Sequence, residues 1–205
     1  MKKLFSIIVG FAFAISALAQ TAEDILAKME KVFEEHENEG VAMTVETKIP
    51  VLGTIRMKTY ILGDYARMET KIMGTQLIIW DNGETEYTYD KKHNEITITR
   101  FTESSSEENG DLELFSGIAD GYDVSIKKET ADAWYIQCKK SQNNSSEDPK
   151  NMDVVVAKGT YYPVSLSTKV DGVKMTMCDL SFGVTKEQVT FDKSKYPDAK
   201  ITDKR

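Results

Sequence analysis

From Val41 to Arg100 the chain alternates apolar and polar residues with period two, and turn-forming pairs cut the segment at short intervals. This is the signature of consecutive antiparallel strands, because successive side chains on a strand point to opposite faces of the sheet. Val41, Met43, Val45, Thr47 and Ile49 share one face, and Pro50 ends the strand. Gly53 opens the next, where Ile55, Met57, Thr59 and Ile61 oppose Arg56, Lys58, Tyr60 and Leu62. After Gly63-Asp64, Ala66, Met68, Thr70 and Ile72 oppose Tyr65, Arg67, Glu69 and Lys71. Gly74 to Phe101 then reads as a three-strand meander. It runs through the apolar Leu77-Ile78-Ile79-Trp80, an Asn82-Gly83 turn, the alternating Tyr87 and Tyr89, a polar turn at Asp90–Asn94, and Ile96-Thr97-Ile98-Thr99. Asn-Gly is the pair that tolerates positive φ at both central positions of a two-residue hairpin. Six strands without a helix form an antiparallel sheet, apolar on one face and polar on the other.

What precedes this segment is of two kinds. Met1-Lys2-Lys3 is basic, Leu4 to Leu18 is nearly all apolar or small, and Ala17-Leu18-Ala19 fits a small-x-small cleavage rule. Residues 1–19 are therefore expected to be a secretory signal peptide. The alternative, a membrane anchor, is disfavoured because the apolar run is shorter than the ~20 residues a span needs. No cysteine stands near the cleavage point for lipid attachment, so a soluble, exported, periplasmic chain is expected. Removing 19 residues from 205 leaves 186, enough for one domain, 20–205, with its own core. Thr21 to Glu37 then reads as an amphipathic helix, with Ala22, Ile25, Leu26, Met29, Val32 and Phe33 on one stripe. Thr21 and Asp24 resemble a capping box and Gly40 a stop.

Beyond the meander, Glu103 to Asp111 is an acidic, low-complexity loop, and Asp111 to Ala119 carries Leu112, Leu114, Phe115 and Ile118 as a short helix laid on the sheet. Strand patterns resume at Tyr122–Ile126, Trp134–Cys138, Met152–Ala157, Tyr162–Val170, Val173–Phe182 and Gln188–Phe191, with an Asp171-Gly172 hairpin turn. The expected fold is mainly β (α+β). A strongly curved antiparallel sheet of about ten or eleven strands forms an incomplete barrel, its concave face covered by the N-terminal helix and the short second helix.

Loss of Lys2 and Lys3 takes the net charge from −7 to about −9. An acidic chain with no long basic run argues against nucleic acid and against simple adhesion to anionic headgroups. No nucleophile elbow, His-Glu-x-x-His, phosphate-cradling loop or paired-cysteine metal motif is present, so no cofactor or metal is expected. His36 and His93 are isolated, and Asp81, Glu84 and Glu86 flank a turn where solvated carboxylates are ordinary. This scarcity of general bases argues against an enzyme. Cys138 and Cys178 are the only cysteines. Export permits a bridge between them, worth up to about 4 kcal/mol on the chain-entropy model; two buried free thiols on different strands are equally compatible. Methionine is conspicuous, with eight left after the signal. Met43, Met57 and Met68 face inward on successive strands, Met29 lies on the helix stripe, and Met175 and Met177 share a face. Methionine fills cores, and it also suits surfaces that repack around varied apolar ligands; a half-barrel capped by a helix is a common place for such a site.

The order helix, strand pair, then Ile78-Ile79-Trp80-Asp81-Asn82-Gly83, Tyr87-Thr88-Tyr89-Asp90 and Ile96-Thr97-Ile98-Thr99-Arg100 carries a recognisable pattern. Gly121-Tyr122-Asp123-Val124, Val189-Thr190-Phe191-Asp192, Tyr196-Pro197 and Ala199-Lys200-Ile201-Thr202-Asp203 complete it. It resembles the periplasmic outer-membrane lipoprotein carrier (LolA-like) family over nearly the whole mature chain. The resemblance implies an unclosed barrel with a helical lid whose cavity takes the acyl chains of lipoproteins or other lipids. It implies a monomer that works with an inner-membrane release complex and an outer-membrane acceptor. A sensor module on the same fold, recognising an envelope protein or lipidated ligand, is the alternative. The cavity lining so implied is Met29 and Phe33 on the helix, Met43, Val45, Ile55, Met57, Ile61, Met68 and Ile72 on the strands, and Leu112, Phe115 and Ile118 near the second helix. The family has a lid-gating arginine at the turn before the third strand; the nearest match here is Gly63-Asp64, and Arg67, a few residues on, is the candidate for that role, although strand parity puts it on the outward face with Glu69 and Lys71. The family's proline-rich turn there is missing.

Overall fold

In the computed structural model, which describes residues 20–51, 53–101, 117–144, 149–170 and 172–205, twelve strands form one sheet. Helix α1 (Ala22–His36) precedes β1 (Val41–Ile49), β2 (Gly53–Leu62), β3 (Tyr65–Ile72), β4 (Thr75–Asp81), β5 (Thr85–Asp90) and β6 (Glu95–Arg100). β7 (Tyr122–Glu129), β8 (Ala133–Lys140), β9 (Asn151–Ala157), β10 (Pro163–Val170) and β11 (Val173–Phe182) follow, then a single-turn helix α2 (Lys186–Val189) and β12 (Lys200–Asp203). The strand order is β12-β6-β5-β4-β3-β2-β1-β11-β10-β9-β8-β7, so the two halves of the chain meet at β1 and β11. The sheet is antiparallel apart from β12 on β6, and it is not closed: β7 and β12 remain edges of an incomplete barrel. Register shifts at Ala42/Thr44, Ile126/Lys128 and Pro163/Ser165 add the local bend that bulges bring. The shift against β1 keeps Met175 and Met177 on the same face as Leu180 and Phe182, with Asp179 taking φ +53° in the extra position.

Helix α1 starts as its sequence predicts: Thr21 Oγ1 accepts from Asp24 N at 3.1 Å and an Asp24 carboxylate oxygen accepts from Thr21 N at 3.5 Å. Its stripe is buried on β7–β11. Ile25, Leu26 and Met29 are fully inaccessible and pack with Trp134, Ile136, Cys138, Val154, Val156 and Leu166. Each fully buried aliphatic side chain contributes about 1.5–3 kcal/mol. Phe33 meets the edge of Phe182 at 5.4 Å between ring centroids. Glu30 ties the chain entering β7 to the helix by accepting from Ile118 N at 3.0 Å. Burial pushes the Glu30 carboxyl up, and that amide works against the push.

The other half of the sheet departs from a one-faced pattern. Ile78, Trp80 and Ile96 are buried on the face away from α1, in register with Tyr87 and Tyr89. The cover is the chain after β11. Phe191 stacks on Tyr87 at 4.5 Å and meets Trp80 at 5.3 Å, Tyr196 meets Tyr89 at 4.5 Å, and Val184 and Val189 are buried. Residues Gln188–Phe191, whose alternation suggests a strand, do not form one. Thr185 N donates to Gln188 Oε1 at 2.7 Å, and this Thr-x-x-Gln box starts α2 instead. β12 was not apparent in the pattern because it is four residues long; Lys200 Nζ and Thr202 Oγ1 fasten it by donating to Glu95 at 3.1 and 2.6 Å. The meander turn also differs. Only Gly83 takes a positive φ, +82°, and Asn82 uses its side chain, Oδ1 accepting from the Glu84 and Thr85 amides. The expected second helix falls mostly on residues 112–116, outside those described, and 117–121 form a turn.

Candidate functional site

The face that α1 covers over β7–β11 continues across β1 to β4, and there it remains apolar. The register sets two rows side by side: Met177, Val45, Met57, Thr70 and Leu77 in one, Met43, Thr59, Met68 and Ile79 in the next. Ile55 and Ile61 extend the β2 row on either side, and Val41 and Ala66 flank Ile61. Alternation alone produces this surface, because an antiparallel partner in register repeats the same facing along the sheet. Val45, Ile55, Met57, Ile61, Met68, Leu77 and Ile79 are all half-buried, and Ile72 is exposed. The packed core under α1 thus grades into an accessible apolar groove floor. Past β4 the floor turns polar, with Thr88 and Thr97 following Ile79, and Asp81 and Glu86 following Ala66. Burial pushes the Asp81 carboxyl up, opposed by the Gly83 and Asn82 amides. The Thr59 hydroxyl on this face is buried and has no hydrogen-bond partner among the described residues.

Of the residues expected to line a cavity, Val45, Ile55, Met57, Ile61, Met68 and Ile72 come together on this floor. Met29, Phe33 and Ile118 are placed differently. They are buried in the core between α1 and β7–β11, and Met29 is fully inaccessible while Phe33, Ile118 and Met43 keep only 5–6% exposure. Leu112 and Phe115 lie outside the described residues. Leu77 and Ile79 belong to the floor and were missed as lining; the period of two, carried through the run Leu77–Trp80, assigns them to this face and Ile78 and Trp80 to the other.

Arg67 stands on the face away from α1. Its guanidinium pairs with Glu69, lies 5.5 Å from the Tyr60 ring centre and 5.7 Å from that of Trp80, and donates to Gln188 O at 3.4 Å. These contacts hold the C-terminal cover, not α1. The bridge between Cys138 and Cys178 is excluded: both thiols are free. Cys138 on β8 lies in the α1 core, whereas Cys178, next to Met177 on β11, points to the opposite face, with β9 and β10 between them. Three strand spacings amount to about 14 Å, twice what a disulfide spans. Burial pushes the Cys138 thiol up to about 11.

Among the described residues no three His, Cys, Asp or Glu side chains gather as a metal site, and no helix is long and apolar enough to cross a membrane. No protein-family model and no curated protein matches the sequence. Solved structures do resemble it. LprF from Mycobacterium bovis matches with a TM-score of 0.50 at 7% identity, over 80% of this chain and 95% of that one. An uncharacterized conserved protein from Thermus thermophilus matches at 0.44 and 15%, over 89% and 99%. The LolA superfamily protein NE2245 from Nitrosomonas europaea matches at 0.36 and 12%, over 86% and 100%. At such identities the likeness concerns the fold alone. That fold is an open, curved sheet with a helix seated on one face.

Proposed function

We propose that this chain is an exported acyl-chain-binding protein that takes up the hydrocarbon tails of lipids or lipoproteins on the groove floor of β1–β4 and carries them across the periplasm to the outer membrane. One observation carries the reading. The apolar face does not end where α1 ends but continues as a half-exposed surface with methionines at its centre, Met57 beside Val45 and Met68 beside Thr59. Thioether side chains adapt to a flexible tail better than branched ones do. Burying about ten methylenes at ~0.8 kcal/mol each gives ~8 kcal/mol, near a micromolar dissociation constant before ordering costs. That is tight enough to load and weak enough to release. Among the described residues the two central rows of this face hold only apolar side chains and threonines, which suits binding, the role we assign, and the leader at residues 1–19 directs export.

Uptake of a fluorescent fatty acid by the purified mature protein tests this. Met57→Asp and Met68→Asp each put a carboxylate where the tail lies and should abolish uptake while far-UV circular dichroism stays that of a β protein. Uptake at the wild-type level in both variants would remove the groove as the site.

A further inference from the structure

We propose that the hairpin rim at one end of the sheet is a docking surface for an anionic lipid bilayer. The β1–β2, β3–β4 and β10–β11 turns all lie at this end, because Lys48 pairs with Thr54 and Lys174, Ile72 with Thr75, and Val170 with Val173. Their tips carry apolar side chains turned out into solvent: Val51 is 106% exposed and Met73 92%, with Val170 at 46%. Val51 has φ +72° and Met73 φ +50°. A β-branched residue in the left-handed region is a strained choice that the fold of a hairpin does not need. Polar residues or glycine would serve both turns better if they met only water.

Charge singles out the same rim. Lys48, Lys174 and Lys169 are directly opposite one another across β1, β11 and β10. Like charges in register destabilise a sheet, and among the described residues none of the three has a carboxylate within ion-pair distance. Beside this ladder a cleft of about 770 Å³ opens among Lys150, Asp153, Ser167, Lys169 and Lys174, room for a phosphate headgroup. Lys71, one residue before Ile72, adds a further exposed cation near Met73. The like-charged ladder thus stands at the same end as Val51 and Met73, the two most exposed large apolar side chains among the described residues. Val51 and Met73 stand on two different turns, and separate apolar tips suit a deformable phase that flows around them, whereas a protein partner needs a continuous complementary face. Apolar tips entering the headgroup region and lysines meeting phosphates is the chemistry of interfacial binding.

The test is co-sedimentation of the mature protein with vesicles of phosphatidylglycerol and phosphatidylethanolamine, against vesicles of phosphatidylcholine alone. The wild type should sediment with the anionic vesicles at low salt and release at high salt. Lys169→Gln with Lys174→Gln should weaken partitioning by about 25-fold, at about fivefold per lysine. Val51→Asn with Met73→Asn, both compatible with a positive φ, should weaken it on the order of a hundredfold without loss of thermal stability. Docking stands apart from the acyl groove, and two controls separate them: Met57→Asp should sediment like the wild type, and both rim variants should take up the soluble fatty-acid probe unchanged. Wild-type protein left in the supernatant, equal binding to phosphatidylcholine, or rim variants that sediment like the wild type would each overturn the proposal. So would a rim variant that loses an envelope protein partner yet still binds vesicles.

Discussion

Replacing Phe191 by alanine tests the second core, on the face away from α1. Phe191 is half-buried, stacks on Tyr87 at 4.5 Å with 17° between planes, and meets Trp80 at 5.3 Å and Tyr196 at 6.1 Å. Truncating a fully buried Phe costs about 3–5 kcal/mol. Partial exposure removes close to half of that, and lost ring contacts return ~0.5–1.5 kcal/mol. The expected destabilisation is about 2–3 kcal/mol, which moves a urea midpoint by about 1 M for a domain of this size. The two tryptophans make the assay specific. Trp80 reports the C-terminal cover and Trp134 the α1 core, so Trp80→Phe and Trp134→Phe backgrounds each give one fluorescence probe. Because β4 and β8 belong to one continuous sheet, both probes should shift together. A shift below about 0.5 kcal/mol at the Trp80 probe, within the range of ordinary surface substitutions, would refute the account of how this face is covered.

Three further outcomes follow from the contacts. Arg67→Ala should cost about 1–2 kcal/mol through the lost Gln188, Glu69 and ring contacts, Arg67→Lys should recover less than half, and fatty-acid affinity should stay within about twofold; a large affinity change would restore a gating role. Protein unfolded without reductant should take two equivalents of alkylating agent, and in the native state at pH 8 Cys178 should react before Cys138; a mass two daltons low after air oxidation would contradict the free thiols. Glu30 has a folded-state pKa raised first by burial, so its contribution to stability is complete below the unfolded value and fades as pH rises through the folded one. Glu30→Gln keeps an acceptor for Ile118 N and should raise Tm by about a degree or two at pH 7, after allowance for solvent screening, with the gap closing near pH 4; a loss of Tm at pH 7 would mean the charge itself holds the helix to Ile118.

The sheet was legible in the chain because alternation is a local property. Neighbours two residues apart share a face whatever the tertiary context, so the facing of Val45, Met57 and Met68 followed from spacing alone. The helix stripe was legible for the same reason at a period of 3.6. What spacing does not carry is which face another segment will cover. Trp80, Tyr87 and Tyr89 are buried because Phe191 and Tyr196 return a hundred residues later to lie on them, and a Thr-x-x-Gln box, not alternation, starts that return.

By itself, then, the sequence determined the antiparallel order of β1 to β6, the amphipathic α1, and an apolar inner face rich in methionine, since each depends only on nearest spacings. Only the tertiary structure decided how that face is divided. It set α1 on β7–β11, so that Met29 and Phe33 became core while Met57 and Met68 stayed accessible. It also placed Cys138 and Cys178 on opposite faces and gathered Lys48, Lys174 and Lys169 at one rim. Those outcomes depend on the pairing of β1 with β11, a contact between segments more than a hundred residues apart that no local pattern encodes.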